Sequence, residues 1–286
     1  MTSGRIAGAN GIDVAAGMRR WRRYNAPMDT FSLHRGSAPL LISLPHDGSF
    51  IPDDIATRMR PAARRSPDTD WHVSRLYGAL AESLGASVLK PKASRYVVDL
   101  NRPADGHALY PGQRETGLVS TIGFDGEPLY VEGMEPDAAE VQQRIATFWQ
   151  PYHQALAGEL RRLLAEHGRV VLWEGHSIRS HVPMLFEGRL PDFNLGTAAG
   201  ASCSPALQAK LHDRLSAQSR YSFAVNGRFK GGYITRQYGR PDTGVQAVQL
   251  ELSQLNYMDE DSFAYDEAKA ADVQVLIGQL LAACLD

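Results

Sequence analysis

One stretch near the middle of the chain, residues 170–180, constrains the fold more than any other. Its first half is apolar and rich in β-branched residues, and it runs into Glu174, Gly175 and His176. Such a run predicts a buried strand that delivers polar groups to a sheet edge, where open α/β proteins bind ligands. Taken alone, His176 could equally be a buried histidine bonded to a neighbouring carbonyl group. A second apolar run, residues 40–44, leads into His46 in the same way and favours a site.

The rest of the chain alternates between strand-like and helix-like patterns. Apolar residues spaced by three and four predict helices over 73–84, 136–167 (broken or kinked at Pro151), 205–217 and 261–285. Further strands are predicted over 86–89, 95–100, 221–226, from 233, and 245–252. Residues 104–133 and 183–200 read as loops. The alternation predicts an α/β fold with a mixed, mostly parallel sheet flanked by helices. Four predicted strand ends carry ionisable side chains: His46, Asp99, His176 and Glu251.

Length, charge and cysteine content limit the possible functions. The 286 residues suit a single α/β domain over residues 28–286, after a disordered extension or an upstream start over residues 1–27. A net charge of -2 gives no support to a nucleic-acid or membrane partner. Two widely separated cysteines suit a reducing compartment, so we expect a cytoplasmic protein. The sequence leaves the oligomeric state open.

The strand-end residues have the chemistry of a metal-dependent hydrolase. Two histidines and one carboxylate form a recurring catalytic zinc site, and the candidates are His46, His176 and either Asp70 or Asp68. A further carboxylate must take a proton from water. Glu251 suits that role because an apolar strand raises the pKa of a carboxylate toward neutrality. The alternative is that Glu251 simply pairs with a nearby arginine.

Several arginines lie in or beside the same polar segments. Because the guanidinium group binds carboxylates through two parallel hydrogen bonds, converging arginines would suit a small acidic substrate; solvated or internally paired arginines are the alternative. Residues 227–232 lack the ending of a phosphate-binding loop, and no Gly-x-Ser-x-Gly elbow is present. The arginines are Arg95, Arg102, Arg179, Arg228, Arg236 and Arg240.

Taken together, the motifs resemble the N-formylglutamate amidohydrolase (deformylase) family of histidine breakdown. The matching segments include PHDG at 45–48, DTDWHVSRLY at 68–77, SRYVVDLNRP at 94–103, HSIRSHVPMLFEGRLPDFNLGT at 176–197, NGRFKGGYITRQYGRP at 226–241 and QLELSQLNYM at 249–258. The resemblance implies a phosphorylase/hydrolase-like α/β fold, distantly related to zinc carboxypeptidases and with a similar site at the strand ends.

The resemblance also implies a role for each matching residue. His46, Asp70 and His176 would bind one zinc ion, with Asp70 preferred to Asp68. Glu251 would be the general base in the hydrolysis of N-formyl-L-glutamate to formate and L-glutamate. The substrate carboxylates would be held by Asn101, Arg102, Arg179 and Arg228.

The chain departs from the family pattern at a few positions. Glu174-Gly175 stands where the family usually has Asp-Ala, and we expect Glu174 to orient a histidine rather than to touch the metal. Gln237 and Gln246 stand where the family has histidine, and glutamine cannot carry a proton. Two alternatives therefore stay open: hydrolysis of another N-acyl acidic amino acid, or non-catalytic binding of an acidic ligand.

Overall fold

The computed structural model describes residues 29–109, 112 and 115–286. The expectation of a disordered extension over residues 1–27 lies outside these described residues.

The centre of the fold is a seven-stranded sheet with the order β1-β3-β2-β4-β7-β5-β6. Neighbouring strands are parallel except for the pairs β1–β3 and β5–β7. The prediction of a mixed, mostly parallel sheet is therefore confirmed. The strands are β1 (Phe31–His34), β2 (Leu40–Ser43), β3 (Ser87–Pro91), β4 (Val170–Ile178), β5 (Phe193–Gly196), β6 (Phe223–Val225) and β7 (Val245–Ser253).

Helices cover both faces of this sheet. One apolar core joins the sheet to α2, α5 and α7, and a second joins its other face to α3, α4 and the π-helical turn between them. The helices are α1 (Asp53–Ala56), α2 (Val73–Leu84), α3 (Ala138–Arg144), the π-helical turn (Ile145–Trp149), α4 (Gln150–His167), α5 (Pro205–Ser216), α6 (Tyr233–Tyr238) and α7 (Glu267–Leu285).

Helix α7 is long and apolar enough to cross a membrane by length and composition. In the fold, however, its residues Val273, Ile277 and Leu281 are fully buried in the first of the two cores. The helix is therefore a core element, and its apolar character reflects packing against the sheet.

The alternation of side chains along the central strands places the polar residues. Leu172 of β4 and Ala247 of β7 lie in the second core, whereas the adjacent Val171, Trp173 and Val248 lie in the first. Because successive strand residues point to opposite faces, the positions that follow Leu172 and Ala247 at intervals of two share the second face. Those positions are Glu174, His176, Gln249 and Glu251.

Two predicted strands are wrong. Residues 95–100 form turns rather than a strand, because the carbonyl groups of Val97 and Leu100 accept hydrogen bonds from side chains instead of a neighbouring strand. The strand expected from residue 233 is helix α6. Its first-turn N–H groups, which need partners outside the helix, donate to side chains of Asn101 and Glu174.

Two further elements differ from expectation. The long helix does not break at Pro151: it widens into the π-helical turn immediately before that residue and then continues as α4. Proline has no N–H to donate to the preceding turn, so a regular hydrogen-bond ladder is interrupted there. Strand β5 lies inside residues 183–200, which were expected to be a loop, and β4 extends to Ile178, so that His176 lies within it.

Candidate metal and active site

Three buried side chains from separate parts of the chain meet at one edge of the sheet. His46 follows β2, Asp70 precedes α2, and His176 is part of β4. Asp70 Oδ2 lies 3.1 Å from Nδ1 of His176 and 3.7 Å from Nδ1 of His46. The ligand atoms of the three residues all lie within 4.8 Å of one another, so this cluster could hold a metal ion.

Each histidine of the cluster is held from behind by a carboxylate. Nε2 of His46 lies 2.7 Å from Asp99 Oδ1, and Nε2 of His176 lies 3.3 Å from Glu174 Oε1. Glu174 in turn accepts a hydrogen bond from the backbone N–H of Thr235 at 2.9 Å. Metal-binding histidines commonly bond a carboxylate through the nitrogen that faces away from the ion, which fixes the ring. This arrangement leaves both Nδ1 atoms facing Asp70.

Asp70 is ionised within this cluster. Burial alone would favour its neutral form, but His46 and His176 hold the pKa of the Asp70 carboxyl below its usual range. Hydrogen bonds to Asp70 and Glu174 raise the pKa of His176 despite burial, so His176 is protonated when no ion is bound. Because a histidine ligand must be neutral, binding of a metal ion would release this proton.

Three observations indicate that the residues of the cluster are suited to bind a metal ion. Oδ1 of Asp70 is buried without a hydrogen-bond partner, although Nη1 of Arg95 lies 3.5 Å away. Two imidazole nitrogens and one carboxylate are a donor set that zinc accepts. The carboxylates of Asp99 and Glu174 add negative charge behind the histidines. The cluster therefore has the charge and the donors to bind a divalent cation.

Glu251 lies beside His176 on the neighbouring strand. The two residues are register partners in the parallel pair β4–β7, and their side chains share one face of the sheet. Burial raises the pKa of Glu251 to about 8. Gln249, two residues earlier on the same face, donates to Glu251 Oε2 at 3.3 Å and accepts from the backbone N–H of Gly232 at 2.7 Å. Glu251 is thus a positioned carboxylate with a pKa suited to proton transfer.

The two histidines of the cluster and Glu251 line a cavity whose other walls carry arginines, while Asp70 lies behind the histidines. Asn101, Arg102 and Arg228, all predicted to bind substrate, lie in its lining with His46 and His176. Nε of Arg102 donates to the carbonyl of Thr116, and Nε of Arg228 donates to the carbonyl of Leu185. These bonds orient both guanidinium groups, which are the groups best suited to bind carboxylates.

Arg179, the fourth residue predicted to bind substrate, is placed differently. Its guanidinium group pairs with the exposed Asp261 at 2.7 Å and is not part of the cavity lining. The two glutamines singled out in the sequence are also remote: Gln246 accepts a hydrogen bond from the N–H of Ser204, before α5, and Gln237 is exposed. Neither glutamine touches the cavity.

Asp68 has a role distinct from that of Asp70. Its Oδ2 atom accepts a hydrogen bond from the backbone N–H of Phe124 at 2.8 Å, which ties the loop around Phe124 to the site. Phe124 lines the cavity, and the guanidinium of Arg95 lies 4.9 Å from its ring centroid. Asp68 therefore anchors one wall of the cavity, while Asp70 meets the histidines.

Sequence reasoning gave no specific role to three residues of this site. Asp99 was recognised only as an ionisable strand end, and Arg95 only as one of several arginines. Gln249 was not considered, although its spacing of two from Glu251 on a strand places both on one face. That spacing is the signal that could have found it.

Known proteins similar to this chain agree with one another. A family model described as N-formylglutamate amidohydrolase matches residues 38–258. An N-formylglutamate deformylase of Pseudomonas aeruginosa is 53% identical over 258 residues, which cover 90% of this chain and 96% of the relative. The enzyme of the same name from Pseudomonas putida is 49% identical, covering 89% of this chain and 95% of the relative.

A solved structure extends the similarity to the fold. The crystal structure of N-formylglutamate amidohydrolase from Ralstonia eutropha JMP134 aligns with a TM-score of 0.76 and 25% sequence identity. The alignment covers 90% of this chain and 98% of the other.

Proposed function

The chain belongs to the N-formylglutamate amidohydrolase family, and we propose that its cavity hydrolyses N-formyl-L-glutamate to formate and L-glutamate with the help of a zinc ion. The enzyme class and the reaction follow from relatives that are 49–53% identical over nearly their whole length. Zinc, the role of each residue and the carboxypeptidase-like character of the site are inferences from the residues and their geometry.

One observation carries the proposal. The two histidines of the histidine–aspartate–histidine cluster, a buried glutamate with a raised pKa and two oriented arginines line a single cavity. Hydrolysis of an amide needs an electrophile, a base and a way to hold the substrate. The described cavity offers candidates for all three, and a site that only bound an acidic ligand would need neither the cluster nor the glutamate.

His46, Asp70 and His176 would hold the zinc ion. When bound, it would supply a Lewis acid that polarises the formyl carbonyl, activates water and, as a nearby positive charge, favours the ionised form of Glu251. Asp99 and Glu174 bond Nε2 of His46 and His176 and so would keep both Nδ1 atoms available to hold the ion.

Glu251 moves the proton that the reaction requires. It takes a proton from the attacking water as the water oxygen bonds to the formyl carbon. It then gives that proton to the amide nitrogen as the carbon–nitrogen bond breaks, which releases formic acid and the amine of L-glutamate. The second proton of the water passes from formic acid to the amine, which gives formate and the ammonium form of L-glutamate. Gln249 holds Oε2 of Glu251 during this transfer, since it is itself anchored to the N–H of Gly232.

Arg102 and Arg228 hold the two carboxylates of the substrate. Each donates its Nε–H to a backbone carbonyl, and this hydrogen bond fixes the orientation of the guanidinium group. Asn101 precedes Arg102 in the chain and lies beside the cluster, with its amide nitrogen 3.1 Å from His176 Nε2. The substrate-binding role of Arg179 stays a prediction, because that side chain pairs with Asp261.

Formate release from N-formyl-L-glutamate by the purified, zinc-loaded protein tests this proposal. We expect turnover that is lost on chelation and restored by added zinc, and a loss of at least about a hundredfold in kcat for Glu251→Gln. Glu127→Gln is the matched control, because Glu127 is 72% exposed. N-acetyl-L-glutamate and N-formyl-L-aspartate test the acyl and side-chain preference. Turnover that survives complete removal of metal, or an unchanged kcat for Glu251→Gln, would refute the mechanism.

We also infer that the protein works in histidine degradation in the cytoplasm. N-formylglutamate is the substrate that the family resemblance links to that pathway. Cys203 and Cys284 are both buried free thiols, which suits a reducing compartment. A deletion strain supplied with histidine as nitrogen source tests this inference. We expect the strain to accumulate N-formylglutamate, and a strain that accumulates none would contradict the inference.

A further inference from the structure

Three side chains from one continuous helical segment donate hydrogen bonds to the backbone carbonyl groups of residues 96–102. Nη1 of Arg144 donates to the carbonyl of Val97 at 3.0 Å. Nε1 of Trp149 donates to that of Arg102 at 2.9 Å, and Nε2 of His153 to that of Leu100 at 2.9 Å. We call Arg144, Trp149 and His153 the carbonyl clamp.

The π-helical turn makes the clamp possible. In an α-helix with 3.6 residues per turn, residues five apart point in directions about 140° apart. A π-helical turn bonds residue i to residue i+5, so residues five apart come to lie on the same side. The turn at Ile145–Trp149 separates Arg144 from Trp149, and His153 follows one ordinary turn later. All three donors therefore reach the same segment.

Each donor of the clamp is itself held in place. Nε of Arg144 donates to Glu140 Oε1 at 3.1 Å, and its Nη1 also donates to the hydroxyl of Tyr130. The ring of His153 stacks on that of Trp149 with 3.8 Å between centroids, and its Nδ1 lies 2.9 Å from the Tyr238 hydroxyl. With Nε2 donating to a carbonyl, Nδ1 is the acceptor of that second bond.

The clamped segment carries three residues of the site. Asp99 bonds His46, Asn101 lies beside His176, and Arg102 lines the cavity as a proposed carboxylate ligand. The segment is not part of the sheet, so no strand pairing fixes it. Apart from backbone bonds such as that from the N–H of Asp99 to the carbonyl of Leu118, it is held by side-chain donors. Of these, His153 bonds the carbonyl directly before Asn101 and Trp149 the carbonyl directly after it.

We propose that Trp149 and His153 are positioning residues for substrate binding, and that they act by holding the backbone of Arg102 and Asn101 against the cavity. The proposal rests on the function given above. It predicts that loss of either donor raises KM with little change in kcat, because neither side chain touches the metal cluster or Glu251. It also predicts that the effect of Trp149 depends on the side chain of Arg102.

A double-mutant cycle between Trp149→Phe and Arg102→Ala tests this dependence. Phenylalanine keeps an aromatic ring that can stack on His153, and it removes the indole N–H together with part of the ring. We expect Trp149→Phe to raise KM about tenfold in the wild-type background and less than twofold in Arg102→Ala, with kcat changed less than twofold in both. If Arg102→Ala turns over too slowly for KM to be measured, the dissociation constant of L-glutamate replaces KM for every protein in the cycle.

Tyr152→Phe is the matched control, since it removes from the same helix a buried hydroxyl that bonds Ser43 Oγ and the carbonyl of Leu89, without touching the clamped segment. It should leave KM unchanged.

In a second pair of variants, His153→Gln keeps a hydrogen-bond donor and His153→Leu does not, so KM should rise more for His153→Leu. Thermal unfolding of each variant confirms that it is folded at the assay temperature.

Two results would overturn the clamp while leaving the function intact. One is a wild-type enzyme that turns over N-formyl-L-glutamate while Trp149→Phe raises KM by the same factor with and without the Arg102 side chain. The other is an equal rise in KM for Tyr152→Phe. If the wild type shows no turnover at all, the proposed function fails instead, so the two failures are distinct.

Discussion

His153 makes the stability of the protein depend on pH in a way that can be calculated. The residue is 5% exposed, and burial lowers its pKa from 6.5 to about 4, with the Leu100 carbonyl opposing the shift. As the pH falls, the unfolded chain therefore takes up a proton on this imidazole before the folded protein does. The free energy of unfolding should fall between pH 6.5 and pH 4 and should be insensitive to His153 below that range.

The size of the effect follows from the difference between the two pKa values. Each pH unit within this window costs about 1.4 kcal/mol. At pH 5, one and a half units below the unfolded value, His153 should have removed about 2 kcal/mol of the stability present at pH 7.5. That loss is a sizeable fraction of the 5–15 kcal/mol typical of whole proteins.

Urea unfolding of the wild type and of His153→Gln at pH 7.5 and pH 5 measures this loss. Other groups titrate equally in both proteins, so the difference between them isolates His153. We expect the stability of the wild type relative to the variant to decrease by about 2 kcal/mol between the two pH values. A difference that stays constant within about 0.5 kcal/mol would show that the folded imidazole titrates normally.

Two further predictions concern β4. Glu174→Gln should lower zinc affinity about 10- to 100-fold, because it weakens only the hydrogen bond that supports His176, whereas His176→Ala should abolish zinc binding. Competition with a chromophoric chelator measures the zinc affinity of both variants. Equal losses of affinity would mean that the roles of Glu174 and His176 are reversed. Gly175→Ala should destabilise the protein by about 1–3 kcal/mol, because its Cβ would lie 2.8 Å from Tyr77 Cε2. Gly158→Ala, whose Cβ would meet no atom within 4 Å, should leave thermal stability unchanged or raise it, and equal shifts in Tm for the two variants would contradict the packing argument.

The sequence predicted the central strands and the residues at their ends because these depend on local patterns. Strand β2 and the first half of β4 are buried on both faces and appear as apolar runs, whereas in β7 apolar residues are interleaved with Gln246, Gln249 and Glu251. Parallel strands then bring residues such as His46 and His176 to one edge whatever their separation in sequence. The relative placement of the two histidines could therefore be predicted without knowing the loops.

The segments that close the site could not be predicted in this way. Ile234 and Thr235 are β-branched and favour a strand locally, yet they begin a helix because their N–H groups meet Asn101 and Glu174, 133 and 61 residues away. Residues 95–100 likewise take their shape from donors on a distant helix. Arg179 shows the same limit, since only the fold reveals that it pairs with Asp261 rather than entering the cavity.

The register of β4 against β7 has a consequence for how such an enzyme can change over evolution. His176 and Glu251 face each other across a backbone ladder, so the distance between the proposed metal ligand and the proposed base is set by main-chain hydrogen bonds. Arg102, Arg228 and Phe124, in contrast, reach the cavity from segments outside the sheet. Insertions or substitutions in those segments can alter which acidic substrate is accepted without disturbing the reacting groups. New specificities can therefore arise by loop exchange on an unchanged sheet.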